Sequence, residues 1–205
     1  ITIMALTRLN NNAIGETITA AKGGTGVTSA DEIGNLVLLH SIESGTNVSE
    51  IDLSSYVSST YDEYILYFSS LPVTDDVALR LQMRSGGSFI TSSVYGNAAT
   101  RIDSTSRSVH TTNAGARFEI CGNGTQGNAS DETLQSIIKF TNMNSSDFAT
   151  SCFWESTFDP TSGNHVNYYG SGNINTKATV CDGFKLFYSS GDFNEYGYRL
   201  YGVKQ

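Results

Sequence analysis

The sequence predicts an all-β protein, an antiparallel β-sandwich of jelly-roll-like form, preceded by an extended N-terminal anchoring segment. Three observations carry this expectation. Charged residues make up only 16% of the chain beside 11% aromatics. Lys, Glu, Gln and Ala are thin between β-branched and aromatic residues, which favours pleated strands over helices. Apolar and polar residues alternate singly over several stretches, the period of a strand with one buried face. Turn residues recur at the spacing of a sandwich. With 205 residues, the chain has room for one such domain plus a tail.

Taken in order, residues 1–34 form the first unit. Gly and Asn interrupt small, scattered apolar residues, and neither period persists, so this segment cannot bury a core of its own. It is expected to lie against something else, with Leu9, Asn10, Asn11, Asn12, Ile14, Lys22, Gly23 and Gly24 as its anchoring residues. Ser29–Ile33 has the composition of one helical turn. The second unit, residues 35–205, is a train of strands. Leu36–Ser41 opens it, and Val48, Ile51 and Leu53 mark a looser second strand. Tyr61–Ser70 is apolar on both faces, with Ile65 and Tyr67 on one side and Tyr64, Leu66 and Phe68 on the other; such a strand is central or lies under a subunit contact. Pro72 ends it, and Thr74-Asp75-Asp76 turns the chain.

The clearest alternation follows: Val77, Leu79, Leu81 and Met83 point in, while Arg80, Gln82 and Arg84 point out. Phe89–Tyr95 reads as its return strand. Residues 96–115 are rich in Ser, Thr and Asn and read as a long surface loop. Ala116–Cys121 is a short strand, and Gly122–Asp131 a second polar loop. Leu134–Thr141 and Phe148–Phe158, the latter holding the only tryptophan, Trp154, are strands. Asp159-Pro160-Thr161-Ser162-Gly163-Asn164 is a turn, and Val166–Ile174 reads as a strand at a sheet edge. The chain closes with a strand, a Ser189-Ser190-Gly191-Asp192 turn and a strand, read as a hairpin: Phe184, Leu186 and Tyr188 alternate with Lys185 and Phe187, then Tyr198 and Leu200 with Arg199 and Tyr201. Eight to ten strands are expected in all.

Charge excludes several functions. A net charge of −8 repels phosphate backbones and anionic bilayers, which argues against nucleic-acid and membrane partners. No apolar run has the length of a membrane span, and residues 1–14 lack the apolar core of a signal peptide. The three cysteines, Cys121, Cys152 and Cys181, have neither the even number of a disulfide framework nor paired metal-ligand spacing. They read as small core residues of a chain that folds in a reducing cytoplasm. Lys22-Gly23-Gly24-Thr25-Gly26 places its lysine before the glycines, the reverse of a phosphate loop. His40, His110 and His165 make no local metal motif. No metal and no cofactor are expected.

Three stretches together resemble bacteriophage tail-fibre and fibre-like virion proteins. Ala21-Lys22-Gly23-Gly24-Thr25-Gly26-Val27-Thr28-Ser29 resembles the Gly-Gly-Thr-Gly linkers of tail fibres. Thr60-Tyr61-Asp62-Glu63-Tyr64-Ile65-Leu66-Tyr67-Phe68 is similar to the Tyr-Asp-x-Tyr strand of their sandwich domains. Tyr198-Arg199-Leu200-Tyr201-Gly202-Val203 is similar to their Leu-Tyr-Gly ending. The resemblance implies a non-enzymatic virion protein, assembled in the host cytoplasm: a short tail fibre, knob or appendage. It also implies a homo-oligomer, in first place a homotrimer, that contacts other virion proteins through residues 1–34 and binds a host surface glycan or protein. The chain departs from long fibres in having no shaft repeat. The alternatives are a ligand-free capsid or tail decoration protein, and a polysaccharide depolymerase using Glu155 and Asp159, a carboxylate pair of the kind glycan hydrolysis requires.

Sugar sites combine exposed aromatic faces with amides and hydroxyls. That content picks out Tyr95 and Asn97 in Val94–Asn97, then His165, Asn167, Tyr168 and Tyr169, then Phe193 and Asn194 as candidate ligand-binding residues.

Overall fold

The computed structural model describes residues 35–122, 126–161, 163–176 and 179–204. The anchoring segment 1–34, with Leu9, Asn10, Asn11, Asn12, Ile14, Lys22, Gly23 and Gly24 and the expected turn at Ser29–Ile33, lies outside these residues. Thirteen strands and one 3-10 turn, Ser54–Tyr56, form the regular structure of the described residues. A large sheet of eight strands runs in the order β1 (Leu36–Val48), β13 (Phe193–Val203), β3 (Glu63–Pro72), β9 (Leu134–Thr141), β10 (Ser151–Phe158), β11 (Val166–Ile174), β6 (Tyr95–Asp103) and β7 (Arg107–Gly115). A small sheet runs β2 (Glu50–Asp52), β12 (Gly183–Tyr188) and β4 (Leu79–Ser85). β5 (Ser88–Phe89) and β8 (Phe118–Glu119) both pair with the free side of β4. Every pairing is antiparallel.

Eight strands trace a jelly-roll path. The chain crosses between sheets at each step from β1 to β4, giving the orders β1-β13-β3-β9 and β2-β12-β4-β8 in the two layers. Four further strands arise from excursions. The β6–β7 hairpin leaves the β4–β8 connection, and β10–β11 leaves the β9–β12 connection. Both add to the β9 side of the large sheet. This extension gives the large sheet a wide outer face.

The strands form because their alternation has a core to fill. On β4, Leu79, Leu81 and Met83 are fully buried while Arg80, Gln82 and Arg84 remain partly open. On β12, Phe184, Leu186 and Tyr188 turn inward and Lys185 and Phe187 outward. Large-sheet residues Leu66, Phe140 and Trp154 meet them from the opposite layer. Phe140 and Phe184 stack across the sandwich with centroids 4.3 Å apart. One polar cluster inside is paired: the Tyr188 hydroxyl donates to Gln126 Oε1 at 2.9 Å and lies 2.7 Å from Ser70 Oγ. Gly170 is small for a reason, since a Cβ there would sit 2.2 Å from Trp154 Cε2 on the neighbouring strand. All three cysteines are buried and free. Burial pushes the Cys121 thiol up to about 12, which keeps it protonated and unreactive.

Several expectations are corrected. The closing stretch is no hairpin: β12 belongs to the small sheet, and β13 lies in the large sheet between β1 and β3. The turn at Ser189–Asp192 therefore carries the chain across the core. Residues 96–115 are no loop; they are most of β6 and all of β7, paired from Tyr95↔Gly115 to Ile102↔Arg107. Their small and hydroxylated side chains suit a strand exposed on one face. The return strand expected at Phe89–Tyr95 is limited to Ser88–Phe89, because Tyr95 starts β6 in the other sheet. Val166–Ile174 is an interior strand, held between β10 and β6. The Tyr61–Ser70 stretch, in contrast, is central as expected: β3 pairs with β13 and β9.

The β6–β7 hairpin turns on one carboxylate. Asp103 Oδ1 accepts the backbone N–H of Thr105 at 2.9 Å and of Ser106 at 2.7 Å, and both hydroxyls also donate to it. This is an Asx-type turn. The Thr105 N–H first, then the Thr105 hydroxyl and the Ser106 groups, hold the Asp103 carboxyl down at about 2. A carboxyl lowered on folding stabilises the turn above its unfolded value near 4, and that contribution is lost as pH falls through about 2. Titration followed by carboxyl NMR is expected to place the Asp103 midpoint near 2, with Thr105 and Ser106 amide protection lost below it. A midpoint at the ordinary 3.8 contradicts the turn as drawn.

Candidate functional site

The structure separates the candidate ligand residues. Tyr95, Tyr168 and Phe193 are core side chains, exposed by 0%, 1% and 0%. The Tyr95 hydroxyl accepts the Met83 N–H at 2.9 Å and donates to the Ile90 carbonyl at 2.9 Å, so its hydrogen-bonding capacity is spent inside. Burial raises both the Tyr95 and Tyr168 hydroxyls. Phe193 packs on Tyr188 at 4.6 Å. These three assignments are therefore corrected: each aromatic occupies an inward position of its strand, and only its outward neighbours can meet a ligand. Asn97 is also mostly buried, and its Oδ1 has no hydrogen-bond partner among the described residues. His165 is exposed and bonds Asp159 Oδ1 through Nδ1 at 2.8 Å. Asn167 and Tyr169 share the outer face of β11. Asn194 is exposed on β13, with β3, β9 and β10 between it and β11. Glu155 lies on the outer face of β10, whereas Asp159 lies beyond the strand end and is taken by His165.

Two grooves open on the outer face of the large sheet. The first, about 510 Å³, lies over β10, β11, β6 and β7. Gly96, Ala98 and Gly172 leave little side chain in it. Asn113, Asn173 and Asn175 supply amides, Ser151, Ser171 and Thr111 supply hydroxyls, and Phe153 presents an apolar ring that is 46% exposed. Asn175 is held in place by two bonds: its N–H donates to the Val94 carbonyl at 2.7 Å, and its Nδ2 to the Asn113 carbonyl at 2.9 Å. Gly96 makes room for it, because a Cβ there would come within 2.8 Å of Asn175 Oδ1. Among the described residues, the lining holds no ionisable side chain. Amides and hydroxyls both donate and accept, so this groove suits a neutral, hydroxyl-rich ligand laid against one ring face.

The second groove, about 580 Å³, lies over β1, β13, β3, β9 and β10, with Glu43 of β1 at its β13 side, and has different chemistry. Tyr67 and Ile137 stand open beside it, with Arg199 at one flank and Glu155 at the other. The sequence carried a sign of this region in the two-sided apolarity of Tyr61–Ser70. The amide groove carried little beyond its Asn and Ser content and Asn97, the one sequence candidate among its lining residues, because residues of four separate segments build it. No protein-family model matches the chain, and no curated protein matches it.

Proposed function

We propose that this chain is a bacteriophage virion structural protein: a short tail fibre, knob or fibre-like appendage. It assembles as a homotrimer, is held to other virion proteins through residues 1–34, and binds a host surface glycan without cleaving it. The observation that carries the binding part is the uncharged groove of Asn113, Asn173, Asn175, Ser171 and exposed Phe153. An aromatic face beside neutral donors and acceptors is the chemistry that recognises sugars. The virion assignment rests on the Gly-Gly-Thr-Gly, Tyr-Asp-x-Tyr and Leu-Tyr-Gly stretches.

A panel of neutral and acidic cell-surface polysaccharides, presented to the full chain, tests the reading. Binding is expected with neutral glycans. Asn173→Ala combined with Phe153→Ala is expected to weaken it about tenfold or more, since lost hydrogen bonds and ring contact together amount to roughly 1–2 kcal/mol. Both residues are exposed, so the fold remains. A wild-type protein that binds no glycan supports the ligand-free decoration role instead, and unchanged binding by the double variant removes the groove from consideration.

A further inference from the structure

The large apolar side chains left open are unevenly placed. Apart from Val73, Phe148 and Val180, all of those in the described residues lie on strands of the large sheet and face outward, among them Leu38 at 52%, Tyr67 at 43% and Ile137 at 36%. Exposed apolar side chains concentrated on one sheet face, with charged Arg199, Lys139 and Glu155 among them, point to a protein contact. The strand register arranges its centre as one row across four strands: Arg199 on β13, Tyr67 on β3, Ile137 on β9 and Glu155 on β10. Two apolar residues sit in the middle, and opposite charges sit at the ends. Neither Arg199 nor Glu155 has an ion-pair or side-chain hydrogen-bond partner among the described residues. With strands about 4.8 Å apart, the two charges stand roughly 14 Å from one another and equally far from the β3–β9 seam.

We infer that this face packs against the same face of a second copy of the chain, with Arg199 of one copy meeting Glu155 of the next and Tyr67 meeting Ile137. The inference rests on the proposed homo-oligomer and names its contact. Phe153, two residues from Glu155 on the same face of β10, then stands at the border between this contact and the amide groove, facing Tyr201 of the next copy. Rotation about an axis parallel to the strands and lying over the β3–β9 seam exchanges the two halves of the row. It therefore brings each charge to its opposite and each ring to an aliphatic side chain. Rotation about an axis perpendicular to the strands instead sets Arg199 on Arg199, which like-charge repulsion forbids. The pairs are the same whether the rotation closes two copies or three, because both place equal distances from the axis opposite each other. Tyr201 packs edge-on against Tyr67 at 5.9 Å and stiffens the centre of the row.

Charge reversal on the full chain tests this, with mass read by sedimentation over a dilution series. Wild type is expected to be oligomeric. Arg199→Glu and Glu155→Arg are each expected to raise the dissociation constant about a hundredfold. The double reversal is expected to restore assembly to within about tenfold of wild type. Circular dichroism and melting temperature of each variant check that these exposed changes leave the fold intact. A wild-type oligomer indifferent to both single reversals, or single losses that the double reversal fails to rescue, overturns the pairing while leaving assembly standing. A monomeric wild type overturns both this contact and the homo-oligomer.

Discussion

Removing residues 198–205 is expected to leave an insoluble chain. β13 is the strand on which the large sheet depends, paired to β1 along one side from Leu36↔Val203 to Val48↔Phe193 and to β3 along the other. The deletion takes away Tyr198 and Leu200, both buried, and the bond between the Tyr198 hydroxyl and His40 Nδ1 at 3.0 Å. It frees β1 from Leu36 to Ile42 and turns β3 from Glu63 to Phe68 into an open edge, leaving only the Phe193–Gly197 end of β13 paired. Each buried large side chain lost costs roughly 2–5 kcal/mol, and the ladder bonds on two sides go with them. Domains of this size hold only about 5–15 kcal/mol in total. Expression followed by solubility and mass measurement decides the matter. A soluble truncated chain with a cooperative melt shows that the core lies elsewhere.

Phe184→Ala is expected to destabilise the sandwich by about 3–5 kcal/mol. The ring is fully buried on β12 and stacks on Phe140 of the opposite sheet, so truncation opens a cavity between the two layers and removes an aromatic pair. Phe187→Ala on the same strand is the control. Its ring points away from the core beneath the Lys185 ammonium, which lies 5.5 Å from the ring centroid, and a loss below about 1.5 kcal/mol is expected there. Urea unfolding of the two variants reads the difference. Equal losses mean that the inward and outward faces of β12 have been exchanged.

Much of the architecture was legible because side-chain alternation is a local property. Val77–Arg84, Phe184–Tyr188 and Tyr198–Tyr201 each disclose which residues face a core without knowledge of what that core contains. The β6–β7 hairpin was not legible for the converse reason. Its inward positions are filled by Tyr95, Asn97 and Ala99, with few large apolar residues to mark the period. Ser, Thr and Asn on the outer face then look like a loop. The candidate site suffered from the same ambiguity. Tyr95, Tyr168 and Phe193 had the right chemistry for sugar contact, but a strand sends adjacent residues to opposite faces, and these three are on the buried one. Asn167 and Tyr169 are on the open face. Asn113, Asn173 and Asn175 come together only because β11 and β6 pair and β7 folds back beside them.

The sequence alone determined the fold class, the expected strand content and which face of each well-patterned strand is buried, since these follow from composition and a two-residue period. Tertiary structure alone decided which sheet each strand joins. The two closing strands part at their turn, one into each layer, because a jelly roll buries apolar faces by crossing its core, and no local pattern records the crossing. It also decided the neighbours across strands. The row of Arg199, Tyr67, Ile137 and Glu155 and the groove of amides exist only in the register of paired strands far apart in the chain. That register is set by the closure of the whole sheet, which no single segment contains.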